Sequence, residues 1–381
     1  MNTSSIIQVG VSEEYPLTNG KLKKFLLLEV KLMKALVYHG PNKINLENKP
    51  KPKIENATDC IVRITKTTIC GTDLHIWKGD VPEVEKGRTL GHEGVGIVEA
   101  VGSAISNFRI NDRVLISCIT SCGACCFCKD KMYSQCEKGG WLLGHKIDGT
   151  QAEYVRIPFA DTSLYHVPPN VDEDAIVMFS DILPTGFETG VLKGQIKLGD
   201  TVAIIGAGPI GLATLLTAQF YSPATIFIVD LDDYRLQVAK RLGATHIIND
   251  SDKAAVNTIL EMTHQKGVDV AIEAVGTPEA FNTCQAIIAP GGHIANIGVH
   301  GKSVSLHLEK LWNKNITLTT ALVDTFSIPT LLKVFINGKL NPSELITHHF
   351  DLQEILQAYE IFRSASTEHS LKIILSNKSK I

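Results

Sequence analysis

The chain has no apolar run long enough to cross a bilayer, so no membrane-spanning helix is expected. It also has no long run of one charge sign, and its formal net charge is only −3. That balance offers little to nucleic acid or an anionic membrane surface, and neither is expected as a partner. No internal repeat and no low-complexity segment is present, which argues against solenoids and long disordered tails. The short apolar run in KLKKFLLLEVKLM is interrupted by Glu29, and no small-residue cleavage site follows it. MKALVYHG, beginning at Met33, reads as a natural start, with residues 1–32 an extension that need not be ordered. A cytoplasmic location is therefore expected, where thiols stay reduced.

What is there is enough for two domains: 381 residues, 44% hydrophobic and 20% charged. Before about residue 180, short β-type runs alternate with Gly and Pro: ALVYHG, CIVRIT, GVGIVEAVG, DRVLIS, EYVRIP. They predict a compact β-rich domain. From about Leu198 the pattern changes to strands alternating with helices. TVAIIGAG, TIFIVD, HIIND, VDVAIEAVG and GGHIANIGV read as strands, with helices such as PIGLATLLTAQF and DDYRLQVAKRLGA between them. This alternation predicts an α/β domain with a parallel sheet covered on both faces. The tail from about Ser327 is mixed: helices near IPTLLKVFING and LQEILQAYEIF, then the strand LKIILS.

The segment GAGPIG has the form G-x-G-x-x-G, follows a strand and opens a helix. Gly206 permits the tight turn, Gly208 lets a pyrophosphate approach the backbone, and Gly211 lets helix and strand pack closely. Pro209 and Ile210 open the helix, whose N-terminus supplies N–H donors for phosphates from residues after the proline. Asp230 ends the next strand, 19 residues beyond Gly211. A carboxylate there accepts from ribose hydroxyls and repels a 2′-phosphate, so NAD is expected rather than NADP.

Nine cysteines are present, five of them in SCGACCFCKDKMYSQC, residues 121–136. Cys122, Cys125, Cys128 and Cys136 give C-x2-C-x2-C-x7-C. Four thiolates close a tetrahedral zinc site and leave no open position, which makes such a site structural. The last gap and the following Glu137 differ from ferredoxin spacing, which disfavours an iron–sulfur cluster. Cys126 falls outside the register and is expected to bind no metal. Two further stretches, CGTDLH at Cys70 and GHEG at Gly91, offer a thiolate and an imidazole, both favoured zinc ligands.

With CGTDLH, GHEGVGIVEAVG, the cysteine cluster and GAGPIG together, the chain resembles the zinc-dependent alcohol dehydrogenases of the medium-chain dehydrogenase/reductase superfamily. The resemblance runs from about Met33 to the C-terminus. It implies a GroES-like β-rich catalytic domain over 33–181 carrying a structural zinc lobe. A Rossmann, doubly wound cofactor domain would follow over 182–325, with a return to the catalytic domain over 326–381. It also implies two zinc ions per subunit, one catalytic and one structural. Cys70 and His92 would hold the catalytic zinc, with Asp181 as third ligand and Glu93 on or near the metal. Asp181 resembles the aspartate of the secondary-alcohol branch, although enzymes of that branch often lack the cysteine lobe. Asp73 would hydrogen-bond His92 and fix its ring. Thr72 would touch the substrate oxygen, and His75 would pass its proton to solvent. Zinc would act as a Lewis acid on the substrate oxygen while hydride moves to nicotinamide.

Ile76, Trp77, Trp141, His145, Leu183 and Val323 are expected to line the pocket. They offer no Arg or Lys clamp, which points to a small neutral alcohol, aldehyde or ketone. A polyol, butanediol or threonine dehydrogenase on the same scaffold is the second reading. A catalytically silent binding protein is the third, and retention of Cys70, His92, Glu93 and Asp181 counts against it. By resemblance the chain pairs as a homodimer or homotetramer.

Overall fold

Two β-sheets surround the N-terminal half, and a third, wholly parallel sheet organises the rest. The computed structural model describes residues 6–14 and 23–377. In the N-terminal extension, Ile6–Glu14 pairs antiparallel with the first half of Lys23–Gly40, so part of a segment that need not be ordered is in strand form. The remainder, 1–5 and 15–22, lies outside the described residues.

The seven-stranded sheet of the N-terminal half is built on Cys60–Thr68, which pairs antiparallel with Gly94–Val101, Tyr154–Ile157 and Lys372–Ser376. Each strand expected from the β-type runs is present. The C-terminal strand Lys372–Ser376 returns to this sheet after the whole cofactor region. One register matters for the chemistry: Thr67 lies opposite Gly94. Cys70 follows Thr67 by three residues and His92 precedes Gly94 by two, so both leave the sheet at the same edge.

The parallel sheet has the order His246–Asn249, Thr225–Asp230, Thr201–Ile205, Val268–Glu273, Ile288–Asn296, Thr317–Thr320. Its first strand in sequence lies at the centre and the chain winds outward in both directions, the doubly wound arrangement. The reason for the near-continuous apolar strands is visible in Thr201–Ile205. Val202 and Ile204 enter one core cluster, while Ala203 and Ile205 enter the other. With helices on both faces, neither side of a strand can be polar. The strand order reverses between Thr201–Ile205 and Val268–Glu273, which pair parallel, and a crevice opens there at the carboxyl ends of the strands.

Candidate active site and cofactor cleft

Cys70, His92, Glu93 and Asp181 converge, one ligand atom from each lying within 4.8 Å of all the others. Cys70 is the N-cap of the helix Gly71–Lys78. His92 and Glu93 lead into Gly94–Val101. Asp181 comes from the chain just before the helix Ile182–Thr185. Ser180 pins it there: its hydroxyl accepts from Gly94 N (3.1 Å), and its carbonyl accepts from Cys118 N (3.0 Å). Although Asp181 is placed as an N-cap, its side chain makes no cap bond to the helix backbone. It faces the cluster instead.

The spacing suits a tetrahedral zinc. With Zn–S about 2.3 Å and Zn–N or Zn–O about 2.1 Å, tetrahedral S···O and N···O edges are roughly 3.6 and 3.4 Å. Cys70 Sγ lies 3.5 Å from Asp181 Oδ2, and His92 Nε2 lies 3.3 Å from the same oxygen. Burial pushes the Cys70 thiol up, and Asp181 adds to the effect. Burial opposes charge on Asp181, yet the His92 contact holds its carboxyl well below the usual carboxylate range. Burial pushes Glu93 up to about 7, with Lys372 pulling the other way. Three acidic groups and an imidazole crowded in a nearly dry space form a donor set that a cation satisfies.

The expected Asp73–His92 hydrogen bond is replaced by a longer approach. Asp73 Oδ1 stands 3.8 Å from His92 Nδ1, beyond hydrogen-bond reach. Its other oxygen accepts from Cys70 N (2.9 Å) and Gln151 Nε2 (3.0 Å). Gln151 in turn accepts from the Tyr359 hydroxyl at 2.7 Å. Asp73 therefore fixes the backbone of Cys70 directly and faces His92 only across a gap. Neither Gln151 nor Tyr359 carried a sequence signal.

The cysteine lobe forms a second cluster. Cys122 Sγ and Cys128 Sγ are 3.9 Å apart, and Cys125 Sγ and Cys136 Sγ are 4.0 Å apart. Those separations match the edges of a ZnS4 tetrahedron, about 3.8 Å, and are about twice a disulfide bond. Backbone N–H groups of Glu137 and Cys128 lower the Cys125 thiol to about 6, favouring the thiolate that a metal requires. Cys126 is exposed, with its sulfur 3.6 Å from Glu137 Oε1, and is not among the four.

The glycine loop has the form its motif implies. Gly206 has φ +109°, and a Cβ on Gly211 would lie 1.9 Å from Gly206 O, so helix and turn touch there. A Cβ on Gly208 would meet nothing within 4 Å, because that backbone faces the open cleft. This is room for a pyrophosphate at the start of the helix Pro209–Ala218. Pro209, Ile210 and Asp230 line the same cleft. Asp230 accepts from Ala207 N at 2.6 Å and from Leu231 N at 2.8 Å, which locks its carboxylate beside the glycine turn.

A cavity of about 660 Å³ sits over the Cys70, His92 and Asp181 cluster and is lined by Thr72, His75, Cys118, Ile119, Trp141 and Val323, among others. It meets the cofactor cleft at Cys70, Gly71, Ile210, Ala274 and Val275. Trp141 stands edge-on to His92, with ring centroids 6.4 Å apart. Of the expected lining residues, Trp141 and Val323 are confirmed. Ile76 and Leu183 are fully buried, and Trp77 packs against Tyr359 in a separate core cluster. Their apolar character serves the core. His145 stacks on Trp141 from behind and is not among the lining residues. Cys118, Gln135 and Thr185 line the cavity without having been expected there.

The two-sheet catalytic half, the doubly wound half and the two ligand clusters define a zinc-dependent oxidoreductase. Residues 56–169 match the alcohol dehydrogenase GroES-like domain, and residues 209–336 match the zinc-binding dehydrogenase domain. An alcohol dehydrogenase of Cupriavidus necator is 36% identical over 351 residues, covering 87% of this chain and 95% of that protein. Zinc dependent alcohol dehydrogenase 2 from Streptococcus pneumonia superposes with a TM-score of 0.88 at 53% identity, covering 92% of this chain and 99% of that one. Alcohol dehydrogenase TADH from Thermus sp. ATN1 gives 0.84 at 32% identity, covering 91% and 100%. The chain belongs to the zinc-dependent alcohol dehydrogenase family, and it is an alcohol oxidoreductase using zinc and NAD.

Proposed function

We propose that the chain oxidises small neutral primary or secondary alcohols to aldehydes or ketones with NAD, and runs the reverse reduction. Cys70, His92 and Asp181 hold the catalytic zinc in this reading, with Glu93 beside it. Cys122, Cys125, Cys128 and Cys136 hold the structural one. The observation that carries the reading is the cavity: the donor cluster closes one end, the cofactor cleft opens beside it, and among the described residues no Lys or Arg lines it. A substrate carboxylate would find no cationic partner there, which disfavours threonine.

When bound, zinc supplies a Lewis acid for the substrate oxygen and NAD accepts the hydride. The chain's residues do the rest. Thr72 Oγ1 lies 3.8 Å from Cys70 Sγ on the cavity wall, placed to take the alcohol proton while giving up its own hydroxyl proton. His75 lines the same wall with its side chain 41% exposed, so it can pass that proton to water. Its Nδ1 lies 3.0 Å from Asp80 Oδ2, which orients the ring. Trp141, Ile119 and Val323 keep the reacting end poor in water.

An assembly of two or four copies belongs to the same reading. Thr317–Thr320 is one edge of the parallel sheet, and Leu318 and Trp312 are exposed near it. A reducing compartment such as the cytoplasm suits nine unpaired cysteines. The test is NADH absorbance with primary alcohols, secondary alcohols, diols and threonine, each with NAD and with NADP. Preference for threonine, or no turnover by zinc-loaded protein, would sink the reading.

A further inference from the structure

We propose that Glu188 is a positioning residue for the substrate cavity, anchoring from behind the 324–327 segment through which three of its walls are tied together. The proposal rests on the reading of that cavity as the alcohol site. Glu188 does not line the cavity. It lies within Gly186–Leu192, where the helix widens and Lys193 N donates to Glu188 O, five residues back. Such wide turns recur at functional sites.

The Glu188 side chain is buried, and both oxygens are saturated by a single segment. Oε2 accepts from Asp324 N (2.9 Å) and Thr325 N (3.0 Å). Oε1 accepts from Ser327 N (2.8 Å) and Ser327 Oγ (2.6 Å). The residues immediately before this segment, Thr320 to Val323, form one wall of the cavity.

Two other walls are tied to the same knot. Asp324 Oδ1 accepts from Ser134 N (2.8 Å) and Ser134 Oγ (2.7 Å), next to Gln135, which the cysteine lobe sends into the cavity. The hydroxyls of Thr325 and Ser117 lie 2.8 Å apart, and Ser117 Oγ accepts from Ile119 N (3.1 Å), beside the lining pair Cys118 and Ile119. Cys118, Ile119 and Val323 pack as one small cluster.

A second observation is independent of these bonds. Thr325 has φ +63°, a left-handed conformation that a β-branched residue rarely adopts. Strain of this kind persists only where the surroundings over-determine it. Here Glu188, Ser117 and the Tyr165 hydroxyl, which donates to Thr325 O at 3.4 Å, supply that determination. The clamp therefore sets how far the 320–323 wall stands from the metal end, and with it the size of alcohol that fits.

The test compares wild type, Glu188→Gln and Ser327→Ala as zinc-loaded proteins, with straight-chain and branched alcohols of increasing size. Gln keeps the shape but turns an amide donor toward the backbone donors, and Ala removes one donor only. Alcohol KM is expected to rise about 10-fold for Glu188→Gln and about threefold for Ser327→Ala, since small misplacement at a site is costly. The ranking of alcohols by size should change, while NAD KM and zinc content stay within about twofold of wild type. Should Glu188→Gln fail to fold, Ser327→Ala decides alone. An unchanged size ranking, or a loss shared equally by NAD KM and zinc content, overturns the inference. If wild type turns over no alcohol, the underlying substrate reading fails, and this inference falls with it.

Discussion

Lys372 Nζ stands 2.6 Å from Glu93 Oε2, and each side chain is only 1% exposed. Lys372 also donates to Ile69 O at 3.1 Å, directly before Cys70. The C-terminal strand thus supplies a counter-charge to the Cys70, His92, Glu93 and Asp181 cluster. Lys372→Met should leave a buried carboxylate uncompensated and cost about 3–5 kcal/mol of stability. Lys372→Met combined with Glu93→Gln should recover most of that loss. Urea unfolding of the two variants measures it, and a loss below about 1 kcal/mol for the single variant would show that the pair is not coupled in this way.

Asp181→Ala should abolish alcohol oxidation and remove about one zinc per subunit, because a catalytic site needs its third protein ligand. Elemental analysis of dialysed protein gives the count. An active variant that keeps both zinc ions would overturn the ligand assignment.

How much of this site could be read from the residues differs from one to the next. The glycine loop and the cysteine lobe were legible because their ligand geometry is local, within six and fifteen residues of chain. The catalytic cluster spans 111 residues between Cys70 and Asp181. Spacing gave no link between them; only resemblance did. Lys372 was missed although it carried a signal: a lysine within the apolar strand LKIILS, where it is buried, needs an acid beside it. Glu188 was missed because its partners are mostly backbone N–H groups of residues 324–327, which no side-chain pattern reveals. Ile76, Trp77 and Leu183 were misplaced because an apolar residue near a metal ligand can face either the core or the cavity, and periodicity over so short a helix does not separate the two.

Asp230→Gly should weaken NAD binding and relax discrimination against NADP. Hydrogen bonds to a charged acceptor contribute about 1.5–3 kcal/mol, so NAD KM should rise roughly 10- to 100-fold. Arg235 lines the same cleft, 3.8 Å from Asp232, and could then meet a 2′-phosphate without the Asp230 charge repelling it. Steady-state kinetics with both cofactors checks this. An unchanged ratio of kcat/KM for NAD over NADP would mean that Asp230 serves the glycine turn, through Ala207 N, and not the ribose.

Cys126→Ser and Cys122→Ser separate the two kinds of thiol in the lobe. Cys126 is exposed and lies outside the four-sulfur group, so its variant should keep two zinc ions per subunit and wild-type stability. Cys122 Sγ faces Cys128 Sγ at 3.9 Å within that group. Its loss leaves three thiolates for a site that has no open position, so Cys122→Ser should lose about one zinc per subunit. The lobe also reaches the cavity through Ser134 and Gln135, so alcohol KM should rise together with the zinc loss, while the catalytic zinc stays bound. Zinc content, thermal unfolding and alcohol kinetics on the same preparations decide the matter. A Cys122→Ser protein that retains both metals, or a Cys126→Ser protein that loses one, would reverse the assignment.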